Sequence, residues 1–352
     1  MLCSIMLLAA GCSGSSGYQK YSTEFLDTFD TVIQVMGYSK SQAEFDNWAE
    51  KAQARFVELN KLYDMYHDYD GVNNIKTIND NAGKQPVKVS SDIIQMLLFC
   101  KQWQAKTPEA INIALGAMVG IWHDYRQAGL DNPGQAALPP IDKLEDAASH
   151  SNIDDVIIDE AAGTVYLRDP EMRLDVGSVA KGYATELVAK ELNSLGWQSF
   201  VINSGGNVRA IGAKLDGKNS KWGVGITDPG NPGDAVTAAK LLDTAYVAGL
   251  SVTTAGDYQR YYTVDGKRYH HIIDPETLMP ANHFKAVSVV TESSAVADFV
   301  DTVLFILPYE DGLAYIQSIG GIEAMWVLPD GTIRATDGMK AMLKNLGGAT
   351  AQ

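Results

Sequence analysis

Leu174-Asp175-Val176-Gly177-Ser178-Val179-Ala180-Lys181-Gly182-Tyr183-Ala184-Thr185-Glu186 is the stretch on which the reading of this chain turns. A short strand around Leu174 meets a glycine turn. The spacing of Ala180, Tyr183, Leu187, Val188 and Leu192 then predicts a helix. Lys181 falls in its first turn, where free N–H groups and the positive end of the helix dipole favour a phosphate. Gly177 lets the backbone approach an anion closely. GxxxxGK[ST] is absent, so this is not a P-loop, and taken alone the segment is equally a plain helix start with a solvated lysine.

Working outward, strands are expected at 199–203 and 208–212, split by Ser204-Gly205-Gly206, and at 286–290 before a helix from Ser294 through Phe305. Hairpins are expected at 156–168 and 324–336. Upstream, residues 25–35 read as one strand, and Ser39 and Ser41 offer caps for a long helix through Phe45, Phe56 and Leu62. A second helix follows Ser90 and Ser91. Residues 69–83 read as loop, and 127–145 as an exposed connection. The order predicts an α+β protein, mixed sheets with packed helices, in one large domain of two lobes.

The net charge of −15 across 352 residues repels nucleic acid, which is excluded as a partner. Met1 to Ala10 is almost continuously apolar and leads to Cys12 and Ser13-Gly14-Ser15-Ser16-Gly17. That order reads as a lipoprotein signal over 1–11, lipid on Cys12, a flexible tether over 12–22 and a folded domain over 23–345. The expected location is outside the cytoplasm, anchored to the cell membrane through the lipid and facing periplasm or exterior. Cys100, among Met96, Leu97, Leu98 and Phe99, reads as a buried thiol without a disulfide partner.

Three further clusters carry chemistry. Asn203-Ser204-Gly205-Gly206-Asn207 joins two strands and is either a tight turn or a close approach to a ligand. Asp298 and Thr302 lie four apart on one face of a predicted helix, with Asp301 between them. A hard oxygen set of this kind suits Mg²⁺ shared with a phosphate; the plain alternative is a solvated helix face. Asp298 sits among apolar residues, however, and a buried carboxylate needs a partner. His270-His271 offers a base near neutral pH, and the lack of a Cys cluster or HExxH gives zinc little support.

In their order, LDVGSVAKGYATE (174–186), NSGGNV (203–208), TTAGDYQRYY (253–262), HHIIDP (270–275) and AVADFVDTVLFIL (295–307) make the chain resemble the ApbE family of FAD:protein FMN transferases. FDTV (29–32), MYHDYDGVNNIKTIN (65–79) and IALGAMVGIW (113–122) are weaker echoes. The resemblance implies Mg²⁺ held by Asp298, Thr302 and backbone oxygens of Ser178 and Asp301. It implies FAD contacts at Phe29, Tyr69, Ala114, Leu115, Gly116, Asp175, Lys181, Asn207, Thr254 and Ile272. It makes His271 the group that deprotonates the acceptor hydroxyl, and Asp274 is added as its helper. Three places depart from the family pattern: Ala255 in Thr254-Ala255-Gly256, Leu278 after Thr277, and Asn112 where an aspartate is common.

The implied activity is Mg²⁺-dependent transfer of FMN from FAD to a Ser or Thr hydroxyl of an exported protein bearing an Asp-(Ser/Thr)-Gly-Ala-(Ser/Thr) type motif, with AMP released. Two rivals are an FAD pyrophosphatase giving FMN and AMP, and a non-catalytic flavin-binding lipoprotein.

Overall fold

The computed structural model describes residues 17–107, 110–233 and 238–352. The signal, Cys12 and the start of the tether lie outside the described residues.

An eight-stranded sheet forms the centre, in the spatial order Gln19–Thr28, Thr31–Ser39, Phe200–Ser204, Asn207–Ile211, Ser251–Gly256, Ala286–Thr291, Glu323–Val327 and Ile333–Ala335. Every ladder in it is antiparallel. Side chains alternate between its two faces, as the pleat requires. Ile33, Val35, Ile202, Val289 and Trp326 enter a core shared with the helices Gln42–Tyr63, Ala180–Ser194 and Ser294–Ile306. Tyr38, Val208, Ala210, Val252 and Met325 face the other way, against the hairpin Trp222–Thr227/Leu241–Val247. A third cluster packs the helix Gly116–Asp131 on the hairpin Tyr261–Val264/Lys267–His270. The α+β class therefore stands, in a single domain.

The helix starts follow their caps: Ser41, Ser90 and Ser293 each accept an N–H three residues on. Four expectations need correction. Residues 25–35 form a hairpin instead of one strand, because Phe29 and Asp30 both adopt positive φ (53° and 51°) between the paired Thr28 and Thr31. That two-residue turn matches the twist of the flanking strands. The loop expected over 69–83 contains the helix Ile75–Asp80, started by a capping box between Asn74 and Thr77. The connection over 127–145 is largely helical, since the Gly116–Asp131 helix runs into it and Ile141–Ala148 closes it. No strand forms at Leu174. Its backbone pairs instead with the Asn79 side chain, which donates to the Leu174 carbonyl (3.0 Å) and accepts its N–H (2.7 Å).

Candidate functional site

The helix Ala180–Ser194 meets the helix Ser294–Ile306 at a glycine. A Cβ on Gly182 would lie 2.3 Å from Asp298 Cβ and 2.5 Å from the Ser294 carbonyl oxygen, so only glycine lets the two backbones approach this closely. The approach is used electrostatically. The Gly182 N–H donates to Asp298 Oδ2 (2.8 Å), and Asn207 Nδ2 donates to Asp298 Oδ1 (3.0 Å). Lys181 Nζ stands 3.7 Å from the same Oδ1. The glycine turn, the Asn207 strand start and the acidic helix thus converge on one carboxylate, although far apart in sequence.

Asp301 lies one turn further along. Asp298 and Asp301 are 5% and 3% exposed. Burial, followed by the neighbouring Asp298 charge, pushes the Asp301 carboxyl well above the usual carboxylate range. Thr302 Oγ1 donates to Asp301 Oδ1 (3.3 Å) and to the Asp298 carbonyl (3.4 Å). Two buried carboxylates and a hydroxyl, with Lys181 as a cation beside them, form a hard donor set that calls for further positive charge. They fit Mg²⁺ by this chemistry. Among the described residues there is no cluster of three or more His, Cys, Asp and Glu side chains, so backbone oxygen and ligand phosphate would have to complete the shell.

This corner lies in a cavity of about 810 Å³, in the upper part of the range for small-molecule sites. Phe29, Tyr69, Leu115, Asp175, Ser178, Lys181, Asn207, Thr254, His271, Ile272, Asp298, Asp301 and Thr302 all line it. Ala114 is fully buried behind the wall, and the Gly116 N–H is spent on the Arg173 carbonyl (2.9 Å). Asp274 is off the cavity. Its carboxylate closes its own turn, accepting from Glu276 N and Thr277 Oγ1 (both 2.9 Å).

Phe29 enters the cavity from its strained turn. Its N–H donates to Asn60 Oδ1 (2.7 Å), and its ring meets Phe56 at 6.3 Å and Tyr63 at 6.5 Å. Tyr69 donates its hydroxyl to Asp64 Oδ2 (2.7 Å). Asp175 accepts the Gly177 N–H (2.7 Å), and burial raises its carboxyl pKa.

The two histidines separate cleanly. His270 is buried: its Nε2 donates to the Ala281 carbonyl (2.7 Å) and its Nδ1 accepts the Ile272 N–H (3.2 Å). His271 lines the cavity with its side chain exposed, and its Nδ1 lies 3.2 Å from the Arg260 carbonyl, which can only accept. Crowding by protein, then Arg260, His270, Lys181 and Arg126, lower the His271 pKa below the ordinary histidine value. The ring is therefore neutral at neutral pH and able to accept a proton.

Sequence reading missed Arg126 and Arg260, which also line the cavity. Arg126 Nε is buried without a hydrogen-bond partner. With Lys181 these residues offer three cations to an anionic ligand. Arg126 sits one turn after Trp122, which points its indole N–H to the Leu278 carbonyl (2.9 Å). That i, i+4 relation was the available signal.

Fold and site together define a single-domain α+β protein whose cleft suits a large anionic ligand. The family model described as the ApbE family matches residues 29–326. An FAD:protein FMN transferase of Treponema pallidum is 30% identical over 351 residues, covering 96% of this chain and 93% of that one. One of Klebsiella pneumoniae is 31% identical over 280 residues, covering 79% and 82%. The crystal structure of the ApbE protein of Thermotoga maritima superposes with a TM-score of 0.78 at 25% identity, covering 92% of this chain and 99% of that one. The chain belongs to the ApbE family, and with it to the flavin transferases.

Proposed function

We propose that the chain takes FMN from FAD and attaches it to a Ser or Thr hydroxyl of another protein, releasing AMP, with Mg²⁺ as cofactor. The observation that carries this reading is the meeting of Lys181, Asn207, Asp298 and Asp301 on one side of a cavity that His271 lines as well. Magnesium held by Asp298, Asp301, Thr302 and the Ser178 carbonyl would neutralise charge that builds on the diphosphate. Lys181, Arg126 and Arg260 bind and orient that diphosphate. The acceptor oxygen forms a bond to the FMN-side phosphorus, the bond to the AMP oxygen breaks, and neutral His271 takes the hydroxyl proton. Phe29 and Tyr69 supply aromatic surface for the flavin or adenine ring.

We also infer export, a lipid anchor on Cys12 and an acceptor with an Asp-(Ser/Thr)-Gly-Ala-(Ser/Thr) type motif. The apolar start, the Cys12 context and the family resemblance support them. Among the described residues no helix is long and apolar enough to cross a membrane.

The test incubates the protein with FAD, Mg²⁺ and a peptide bearing Asp-Ser-Gly-Ala-Thr. A mass gain equal to FMN less one water on the peptide is the expected result. Free FMN with unlabelled peptide would make the chain a hydrolase, and bound FAD without turnover would make it a binding protein.

A base acts in its neutral form, so activity is lost as pH falls through the pKa of His271. In the free protein that midpoint lies below the ordinary histidine value, because Arg260, Lys181 and Arg126 stand near the ring. Bound diphosphate offsets the charges of Lys181 and Arg260, so the midpoint in the FAD complex moves upward. Imidazole NMR titration with and without FAD checks both. A free-protein midpoint near the ordinary value of about 6.5 would contradict the electrostatics described above.

A further inference from the structure

We propose that a groove on the sheet face opposite the helical core holds an extended segment of the acceptor protein and feeds its hydroxyl into the flavin cavity. The proposal rests on the transferase reading above.

The groove is a second cavity of about 500 Å³. Its floor is made by Gln34, Met36, Val201 and Asn203, which are cross-strand partners in the pairs Gln34–Asn203 and Met36–Val201. They alternate with Ile33, Val35 and Ile202 of the helical core, so they point the opposite way. All four are only half-buried, although they lie at the middle of strands inside an eight-stranded sheet. The strand Trp222–Thr227 forms one wall. Among the described residues its sole ladder partner is Leu241–Val247, so its other backbone edge carries no strand. An open edge is a template for an added strand, whose main-chain hydrogen bonds give affinity independent of side chains. Six residues of strand offer roughly 20 Å of edge, the length of a short extended motif.

Continuity decides the occupant. Gly205, Thr254 and Gln259 line both this groove and the flavin cavity. Two residues beyond Gly205 stands Asn207, the residue bonded to Asp298. A strand laid along Trp222–Thr227 therefore runs toward the corner where the diphosphate binds. Its amide-rich, half-apolar floor suits a peptide of small and hydroxyl-bearing residues. Transfer to a protein needs such an entrance beside the FAD that the larger cavity would hold.

Gln34 lines the groove and is not among the residues lining the flavin cavity. Gln34→Trp should fill the groove and raise the KM for the Asp-Ser-Gly-Ala-Thr peptide about tenfold, with kcat unchanged, as expected when binding shared by ground and transition states is lost. FAD affinity and Tm should stay at the parent values. Gln34→Cys, folded first and then capped with a bulky maleimide, should reproduce the effect. The parent treated in parallel serves as control, its Cys100 being fully buried. Parent-like peptide KM in both blocked proteins would overturn the groove while leaving the transferase reading intact. Lost FAD affinity in the capped protein would also overturn it, since position 34 would then belong to the flavin cavity. No transfer by the parent would overturn the underlying reading instead.

Discussion

Asp301→Asn leaves the ligand-free protein at least as stable as the parent and removes most of its FMN transfer. Asp301 and Asp298 are both buried, one helical turn apart, and burial followed by the Asp298 charge raises the Asp301 carboxyl well above the usual range. Burying a second like charge is unfavourable, and asparagine keeps the shape and can still accept the Thr302 hydroxyl. In the proposed mechanism the charge removed would help hold the metal, which would be worth several kcal/mol of transition-state stabilisation, so transfer should fall by roughly three orders of magnitude. Asp298→Ala behaves differently. It strands the Gly182 N–H and the Asn207 amide, each at a cost of about 1–3 kcal/mol, so stability and turnover fall together. Thermal unfolding with and without Mg²⁺ and FAD separates the two. The Mg²⁺-dependent rise in Tm should vanish in Asp301→Asn. Parent-like turnover in Asp301→Asn would remove the oxygen set from the mechanism, and a large drop in ligand-free Tm would mean that the carboxylate has a stabilising partner.

The elements that carry this site were legible in the sequence because their signals are local. Ser293 caps its helix, the apolar spacing from Val296 to Phe305 sets the buried face, and the glycine turn before Ala180 marks the next helix start. Their convergence was not local. Spacing places Asp298 on a helix but gives no reason for it to meet Gly182 or Asn207, and the family resemblance brings that helix only to Ser178, through a shared Mg²⁺. Where the structure departs from the sequence reading, the deciding interaction is long-range or uses an unfavoured conformation. Phe29 at positive φ hides a turn inside a strand-like run, and Asn60, held on a neighbouring helix, fixes its N–H. Asn79 substitutes for a strand partner at Leu174. The hairpin Trp222–Thr227/Leu241–Val247 escaped notice because Gly223 and Gly225 occupy the outward positions where polar residues would show alternation. His270 and His271 are adjacent and chemically identical. Only the Ala281 carbonyl, reached across a loop, assigns one to the interior and leaves the other to the cavity.

Gly182→Ala tests the crossing itself. In an isolated helix the change would help, since alanine is favoured over glycine by about 1 kcal/mol. Here the new methyl would overlap Asp298 Cβ at 2.3 Å and the Ser294 carbonyl at 2.5 Å, and neither is the free end of a flexible side chain. Overpacking of this kind costs about 1–3 kcal/mol, so the two effects nearly offset and net stability falls only modestly. Function has no such compensation. Relief of the overlap requires the two helices to part, which moves Asp298 away from the Gly182 N–H and from Lys181. A displacement near 1 Å in a positioning group is worth about a hundredfold in rate. The expected variant is therefore folded, with Tm slightly below the parent, and transfers FMN about a hundred times more slowly. Gly120→Ala, in the Gly116–Asp131 helix with nothing within 4 Å of the added methyl, supplies the control and should raise Tm without touching turnover. If Gly182→Ala gained stability as Gly120→Ala does and kept full activity, the close approach of the two helices would not be what holds Asp298 in place.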